Sequence, residues 1–219
     1  MPGYSIGTDL AAVRAIIASA LPAYTVTQPT TPYNGVPFVT GNTTYVLTAN
    51  ANGALAAQDG VTLAVGDTVL LAAGAALVDN GLYTVTSIGS ASTPYVLTSR
   101  FQNYATGIVY SGQEVKADTA GTTWGGSTWK LMTSGAITVG VSNQQWYPKV
   151  QRGTGATGGG TTVALTTLWA FAATSTMTAN DVTGANAVQC GAIVAGAGTG
   201  TCTLTGTTAH TLSWMLTNS

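Results

Sequence analysis

The stretch DGVTLAVGDTVLLAAGAALVDNGLYTVTSIG, residues 59–89, contains the clearest structural signal in the sequence. Apolar residues alternate with threonine and other small residues, a period of two that is typical of half-buried β-strands. The pairs Gly66-Asp67 and Asn80-Gly81 interrupt this alternation with residues that favour turns. The stretch therefore predicts short antiparallel strands joined by tight turns, with a connector of alanine and glycine over residues 72–76.

The two turns are expected to set the register of these strands. Gly66 and Gly81 would supply backbone freedom, and Asp67 and Asn80 would form hydrogen bonds within their own turns. The alternation then places one apolar face inward and one threonine-rich face outward. The predicted role of this part of the chain is to give a compact β module its shape.

The same period continues from residue 40 to about residue 149, with a further turn expected at Thr93-Pro94. Short strands spaced about 8–12 residues apart are typical of antiparallel sandwiches and barrels. The predicted fold class is all-β, an antiparallel β-sandwich or barrel module. The apolar positions of this module are Val61, Leu63, Val65, Val69, Leu71, Tyr83, Val85, Tyr95, Leu97, Trp129, Leu131, Ile137, Val139 and Val141.

The first residues predict a short helix that starts near Ser5 or Thr8 and stops at Pro22. Its apolar stripe would either pack on its own domain or anchor the chain in a partner or a threefold bundle. A proline-rich arm over residues 25–38 follows. The helix and arm form a predicted segment 1–39 ahead of the β module at 40–150. The anchor stripe consists of Leu10, Val13, Ile17 and Leu21.

A glycine-rich hinge at residues 152–162 is expected to lead into a second β segment, so the last domain is predicted as 151–219. This segment contains a hairpin signal, AVQCGAIVAGAGTGTCTLTG. Reflection about Gly196 places Cys190 opposite Cys202. The two cysteines could form a disulfide, but free thiols are the expectation in a reducing cytosol.

The chain of 219 residues has very few charges: six Lys and Arg, seven Asp and Glu, a net charge of −1 and a charged fraction of 6%. Ordinary domains have roughly 25%. Without a clustered basic face we expect no nucleic-acid partner. No apolar run approaches the ~18 residues of a membrane span, and the N-terminus lacks the basic region of a signal peptide. We therefore expect no membrane partner and no secretion step.

Low charge is a physical problem for a β protein, because charged residues and proline normally guard exposed strand edges. Residues 30–79 contain no Lys or Arg. The edges are either closed within the subunit or covered by neighbours in a permanent assembly. We favour the second interpretation, and with it a homo-oligomer.

Five stretches follow one another along the chain: DGVTLAVGDTVLL, NGLYTVTSIG, TPYVLTSR, STWKLMT and ITVGVSNQQWYP. In content and order they resemble a β module of bacteriophage virion proteins, which is common in tail fibres and related surface proteins. The resemblance covers roughly residues 40–148. Thr68 replaces the arginine usual after Gly-Asp, and residues 72–76 replace a polar loop. Both departures remove polar surface, which suggests that this face meets protein. The resemblance implies a structural virion role and no catalytic set.

Residues that could carry chemistry are few. His210 has no nucleophile motif beside it, and the carboxylates occupy turn-like contexts. Two cysteines and one histidine are too few for a zinc site. The run Gly153-Thr-Gly-Ala-Thr-Gly158 matches a dinucleotide fingerprint, but no helical stripe follows it. We predict no enzyme activity, no metal and no cofactor.

Trp124 and Tyr147 belong to the most aromatic part of the chain. Trp124 lies on the glycine-bounded loop TAGTTWGGST, where a solvent-facing indole could stack on a sugar ring, enter a neighbour's pocket or pack locally. Tyr147 is a second candidate for ligand or subunit contact.

The prediction that follows is an oligomeric bacteriophage virion protein, most simply a homotrimer. It would be assembled in the bacterial cytoplasm and would act as a capsid-decorating protein or short head fibre, with the major capsid protein or other virion proteins as partners. The alternative is a tail-fibre or baseplate protein that binds host surface glycans.

Overall fold

The computed structural model describes residues 11–27, 45–100, 108–156, 162–166, 176–181, 189–194, 201–205 and 211–217. In these ranges the protein is all-β, as predicted, with one short 3₁₀ helix, Leu77–Asp79. The chain divides into two compact units, Met1–Trp146 and Tyr147–Ser219. This division lies close to the predicted boundary at residue 150.

The strands are numbered in chain order. Up to residue 148 they are β1 (Ala11–Val13), β2 (Ala15–Ile17), β3 (Tyr24–Thr27), β4 (Val46–Ala49), β5 (Thr68–Leu71), β6 (Gly81–Ser90), β7 (Thr93–Ser99), β8 (Ile108–Tyr110), β9 (Glu114–Ala117), β10 (Thr128–Leu131), β11 (Ala136–Thr138) and β12 (Trp146–Pro148). The rest are β13 (Val150–Ala156), β14 (Thr162–Thr166), β15 (Thr176–Asp181), β16 (Gln189–Val194), β17 (Thr201–Thr205) and β18 (Thr211–Thr217).

A six-stranded sheet in the order β2-β5-β6-β7-β4-β3 forms the centre of the first unit. Strands β2 and β5 are parallel and the other neighbours are antiparallel. Alternate residues of each strand point to one face and build a core, as the period of two requires. That core consists of Ala15, Ile17, Tyr45, Leu47, Ala49, Val61, Leu63, Val69, Leu71, Tyr83, Val85, Tyr95 and Leu97.

The predicted N-terminal helix is wrong, because residues 11–17 form strands β1 and β2. Val13 and Ile17 are 2% and 0% exposed, and Leu21 is partly buried against the core, so these three residues pack within the chain. Leu10 lies outside the described residues. Ile16, off the helical stripe, is also buried at 1% exposure. Burial of three successive residues suits a strand covered on both faces.

A second sheet has the order β1-β9-β10-β12, and β8 pairs with β11 separately. Strand β1 runs parallel to β9, while β10 is antiparallel to it. Val115, Trp129 and Leu131 are fully buried, whereas Lys116 is exposed. The outer face of this sheet therefore carries charge, and its inner face is apolar.

The turns differ in part from the prediction. Gly66 has φ 94°, in the left-handed region that favours glycine, and the Asp67 carboxylate accepts the Ala64 N–H at 2.8 Å. Asn80 ends the 3₁₀ helix, and Gly81 already belongs to β6. The turn expected at Thr93-Pro94 lies earlier, at residues 91–92, because Thr93 begins β7 and pairs with Ser90.

The second unit contains two three-stranded antiparallel sheets, β13-β18-β15 and β14-β17-β16. The start of the predicted hinge is a strand instead, since Arg152 and its neighbours up to Ala156 pair with β18. The hairpin of β16 and β17 is present, but its predicted register is wrong. Cys190 lies opposite Leu204, and Cys202 lies opposite Ile193, because the ladder shifts between Cys190 and Ile193.

Candidate interaction surface

The connector, defined here as residues 72–80 between β5 and β6, is held by a buried carboxylate. Asp79 is 5% exposed, and its carboxylate accepts hydrogen bonds from the Tyr24 hydroxyl at 2.8 Å and from the Tyr45 hydroxyl. Its backbone oxygen accepts the Tyr83 hydroxyl at 2.5 Å. A buried carboxylate is costly unless hydrogen bonds replace its water, and these tyrosines supply them.

Asn80 fastens the other side of the connector. Its side-chain oxygen accepts the Gly74 N–H at 2.7 Å, and its amide group donates to the Gln144 carbonyl at 2.9 Å. The Gln144 N–H in turn donates to the Leu77 carbonyl at 2.9 Å. Asn80 thus joins the connector to a segment more than sixty residues away, rather than serving only a local turn as predicted.

A close backbone approach brings residues 140–144 against the same region. Gly140 has φ 78°, and a Cβ at this position would lie 2.5 Å from the Tyr45 ring. Only glycine allows this contact without a shift of the tyrosine. Val141 follows Gly140 in this segment, which reaches the connector through the Gln144 N–H and the Leu77 carbonyl.

Four apolar residues of these two segments are exposed. Leu77 is 43% exposed and Val141 is 72% exposed, and Ala75 and Ala76, which precede Leu77 in the connector, are also exposed. We call these four residues the apolar rim. The Ala75 N–H donates to the Tyr24 hydroxyl at 2.8 Å, so the connector is joined to the Tyr24 side chain of strand β3. The three rim residues of the connector are thus held by hydrogen bonds of the connector itself, and Val141 belongs to the segment that bonds to Leu77.

The tyrosines of this network have raised pKa values. Burial raises the pKa of Tyr24, Tyr45 and Tyr83 above the ordinary value of 10, and the negative charge of Asp79 raises each further. A raised pKa in the folded state means that the native protein keeps protons that the unfolded chain releases.

We therefore expect stability to be unaffected by these three tyrosines below about pH 10 and to fall as the pH rises beyond it. The measurement is phenolate absorbance recorded with the unfolding transition across alkaline pH. The three should ionise only as the protein unfolds. Their ionisation near pH 10 with the fold intact would contradict the buried network.

Trp124 does not face solvent, so the interpretation as an exposed stacking platform is wrong. It is 8% exposed and packs edge-to-face on Trp129, with ring centroids 5.0 Å apart. The Asp59 carboxylate fixes this loop: it accepts the N–H groups of Thr123 and Trp124, both at 2.8 Å. The loop is thus bent inward by a carboxylate from another part of the chain, which local sequence does not reveal.

The remaining candidates are Tyr147, the glycine motif and His210. Tyr147, in β12, is half-buried, and burial raises the pKa of its hydroxyl. Residues 153–156 of the glycine motif lie in β13, a strand rather than a turn into a helix. His210 lies outside the described residues.

An exposed ion pair lies next to strands β1 and β9 of the four-stranded sheet. Arg14 forms an exposed ion pair with Asp118 at 2.5 Å, and its guanidinium holds the pKa of that carboxyl below its usual value. Within the same ranges, no cluster of three histidine, cysteine or acidic residues could hold a metal. No helix there is long and apolar enough to span a membrane.

Comparison with known proteins gives no relative: no family model, no curated protein and no solved structure matches the chain.

Proposed function

We propose that the chain is a structural component of a bacteriophage virion, an oligomeric capsid-decorating or short head-fibre protein on the particle surface. Its partners would be copies of itself and the major capsid protein or other virion proteins. The proposal rests on the rigid apolar rim, in a chain with a charged fraction of only 6%. The resemblance of residues 59–89 and the three later stretches to phage surface modules indicates the class of assembly.

The physical argument starts from the cost of an exposed apolar loop. A solitary soluble domain gains nothing from holding Leu77 outward, and a polar loop would serve it better. A contact surface does gain, because a loop already fixed in its bound conformation loses little entropy on association. Asp79, Asn80 and the tyrosines fix the connector in this way.

The alternative, a tail protein that binds host glycans, would need an exposed aromatic ring for the sugar. Trp124, the residue that suggested this alternative, is buried against Trp129. Tyr147 is half-buried. The alternative therefore loses its main sequence argument, and the particle-surface role is the better proposal.

The test is retention on particles purified from cells that carry the gene, measured by co-sedimentation. Leu77→Asp and Val141→Asp each place a charge in the apolar rim and should weaken retention by about tenfold or more. Val65→Asp is the matched control, because Val65 is 64% exposed at the opposite end of β5 from the connector. It should be retained like the original protein.

Two results would overturn this proposal. One is that the original protein is never found with particles. The other is that both rim variants are retained as fully as Val65→Asp, which would remove the rim from any role in attachment.

A further inference from the structure

Strand β3 is the last strand of the six-stranded sheet, beyond β4. The Ala23 carbonyl accepts the Asn50 N–H at 2.9 Å, and Thr25 and Thr27 pair with Thr48 and Val46 of β4. Inward and outward backbone groups alternate along an antiparallel strand. The N–H and C=O groups of Tyr24 and Val26 therefore point away from β4, and none of the described strands pairs with this side.

Strand β3 is short but lacks charge, proline and a bulge, three of the features that protect edge strands. Its sequence, Tyr-Thr-Val-Thr, has no charge and no proline, and its pairing with β4 is continuous, without a bulge. At the other edge of the sheet, β2 differs, because all three of its residues are buried. The sheet thus has one unguarded edge among its described strands.

The edge is also rigid. The Thr25 hydroxyl donates to the Asn50 side chain at 2.6 Å, and the Tyr95 hydroxyl donates to the Pro22 carbonyl at 2.9 Å just before the strand begins. The Tyr24 hydroxyl bonds to Asp79. An extended strand held in this way is prepared for pairing with a further strand.

The sheet face next to this edge is neutral. One row of paired residues crosses five strands, and a second, shorter row lies beside it. We call this the threonine face: Thr68, Thr84, Thr98, Val46 and Thr27 in the first row, and Val96, Thr48 and Thr25 in the second. Arg100 approaches it only at the end distant from β3, where it donates to the Thr68 hydroxyl.

Because both the edge strand and the face beside it are uncharged, they favour a partner whose contact surface is uncharged as well. An anionic partner such as nucleic acid or a lipid surface would need cations here. Apart from Arg100 at the end distant from β3, the described cations of the first unit are Arg14, Lys116 and Lys130, which belong to the region of β1, β9 and β10. A second copy of this chain brings the same neutral strand and face, so no charge is buried.

We propose that two copies of the chain pair through β3, antiparallel and about a twofold axis at Val26. The inference rests on the proposed function, whose oligomer it specifies. Val26 of each copy would exchange N–H and C=O bonds with Val26 of the second copy, since these are the outward groups. Thr25 would lie opposite Thr27 of the second copy, and the two threonine faces would form one surface.

Such a contact is isologous, so it joins copies in pairs. It gives an even-numbered assembly, in contrast to the homotrimer expected from the sequence. The Tyr24 hydroxyl, on the strand of this contact, accepts the Ala75 N–H of the apolar rim.

The first test is Val26→Pro, with self-association measured by sedimentation velocity. Proline at Val26 removes only an outward N–H and leaves the ladder to β4 intact, as edge strands tolerate. Dimerisation should weaken by about tenfold or more. Val26→Ala, which keeps the N–H, should dimerise like the original protein. Equal dimerisation of the proline variant would overturn the proposal.

The second test keeps the proposal falsifiable if the proline variant does not fold. Thr25→Cys and Thr27→Cys are prepared separately, then mixed and oxidised. Residues that face each other at non-hydrogen-bonded positions have Cα atoms about 4.5 Å apart, within disulfide range. The mixture should give a cross-linked dimer with one Thr25→Cys and one Thr27→Cys chain, and each variant alone should not. Absence of this species would overturn the register.

The outcomes separate the two proposals. A protein that is monomeric alone yet retained on particles overturns the β3 contact and leaves the virion role in place. A protein that dimerises through β3 but is never found with particles supports the β3 contact and overturns the virion role.

Discussion

Replacing Asp79 with alanine is expected to lower the free energy of unfolding by about 3 kcal/mol. The carboxylate accepts two tyrosine hydroxyls at a site that is 5% exposed. Its removal leaves the Tyr24 and Tyr45 hydroxyls without their acceptor and takes away the group that holds the connector. The measurement is a denaturant titration, in which the midpoint should fall while the slope stays unchanged.

The control for this experiment is Asp67→Ala. Asp67 accepts one N–H at a partly exposed turn, so its loss should cost roughly 1 kcal/mol or less. A double-mutant cycle of Asp79→Ala with Tyr45→Phe should show strong coupling, because the two groups share one hydrogen bond. Equal effects of the two aspartate substitutions, or additive effects in the cycle, would contradict the role given to Asp79.

Removing the Asp59 carboxylate is expected to release the loop that buries Trp124 and to cost about 2 kcal/mol. The carboxylate accepts the N–H groups of Thr123 and Trp124, and the Thr122 hydroxyl also donates to it at 3.0 Å. Without these bonds the indole should gain exposure to water. Tryptophan emission should therefore shift to longer wavelength while the protein stays folded.

The choice of substitution matters at this position. Asp59 has φ 50°, a left-handed conformation that alanine adopts with strain. Asp59→Gly removes the carboxylate and tolerates this φ, so it isolates the hydrogen bonds, and Asp59→Asn should have an intermediate effect. An unchanged emission spectrum for Asp59→Gly would show that the packing of Trp124 on Trp129 needs no anchor.

The all-β fold could be predicted because apolar residues recur at every second position of the sequence, and buried residues recur at every second position of a strand. Tyr83, Val85, Tyr95 and Leu97 alternate in the sequence, and each is at most 2% exposed in the structure. The prediction of an N-terminal helix was wrong because the spacing of apolar residues alone does not distinguish a helix from two short strands. Val13 and Ile17 fit a helical stripe, but the neighbouring Ile16 is buried as well, and β-branched residues favour strands.

The site was less accessible to sequence reasoning. The apolar replacement of a polar loop at residues 72–76 led to the prediction that this face meets protein, and the structure shows Ala75 and Ala76 of this stretch exposed. The residues that fix that surface could not be found, because Tyr24, Tyr45, Asp79 and Gln144 come from four distant segments. The one local sign of a buried polar site was Asp79, which follows apolar residues and directly precedes Asn80 in the sequence. The inward direction of the Trp124 loop could not be predicted either, because the loop is held by the carboxylate of Asp59, 65 residues away in the sequence.

The most direct test of the account is the location of the original protein in particles from cells that carry its gene, by antibody labelling and electron microscopy. We predict regular labelling of the particle surface, together with a stoichiometric band for the chain in purified particles. Particles that lack the chain, combined with a stable solitary subunit at micromolar concentration, would contradict the account.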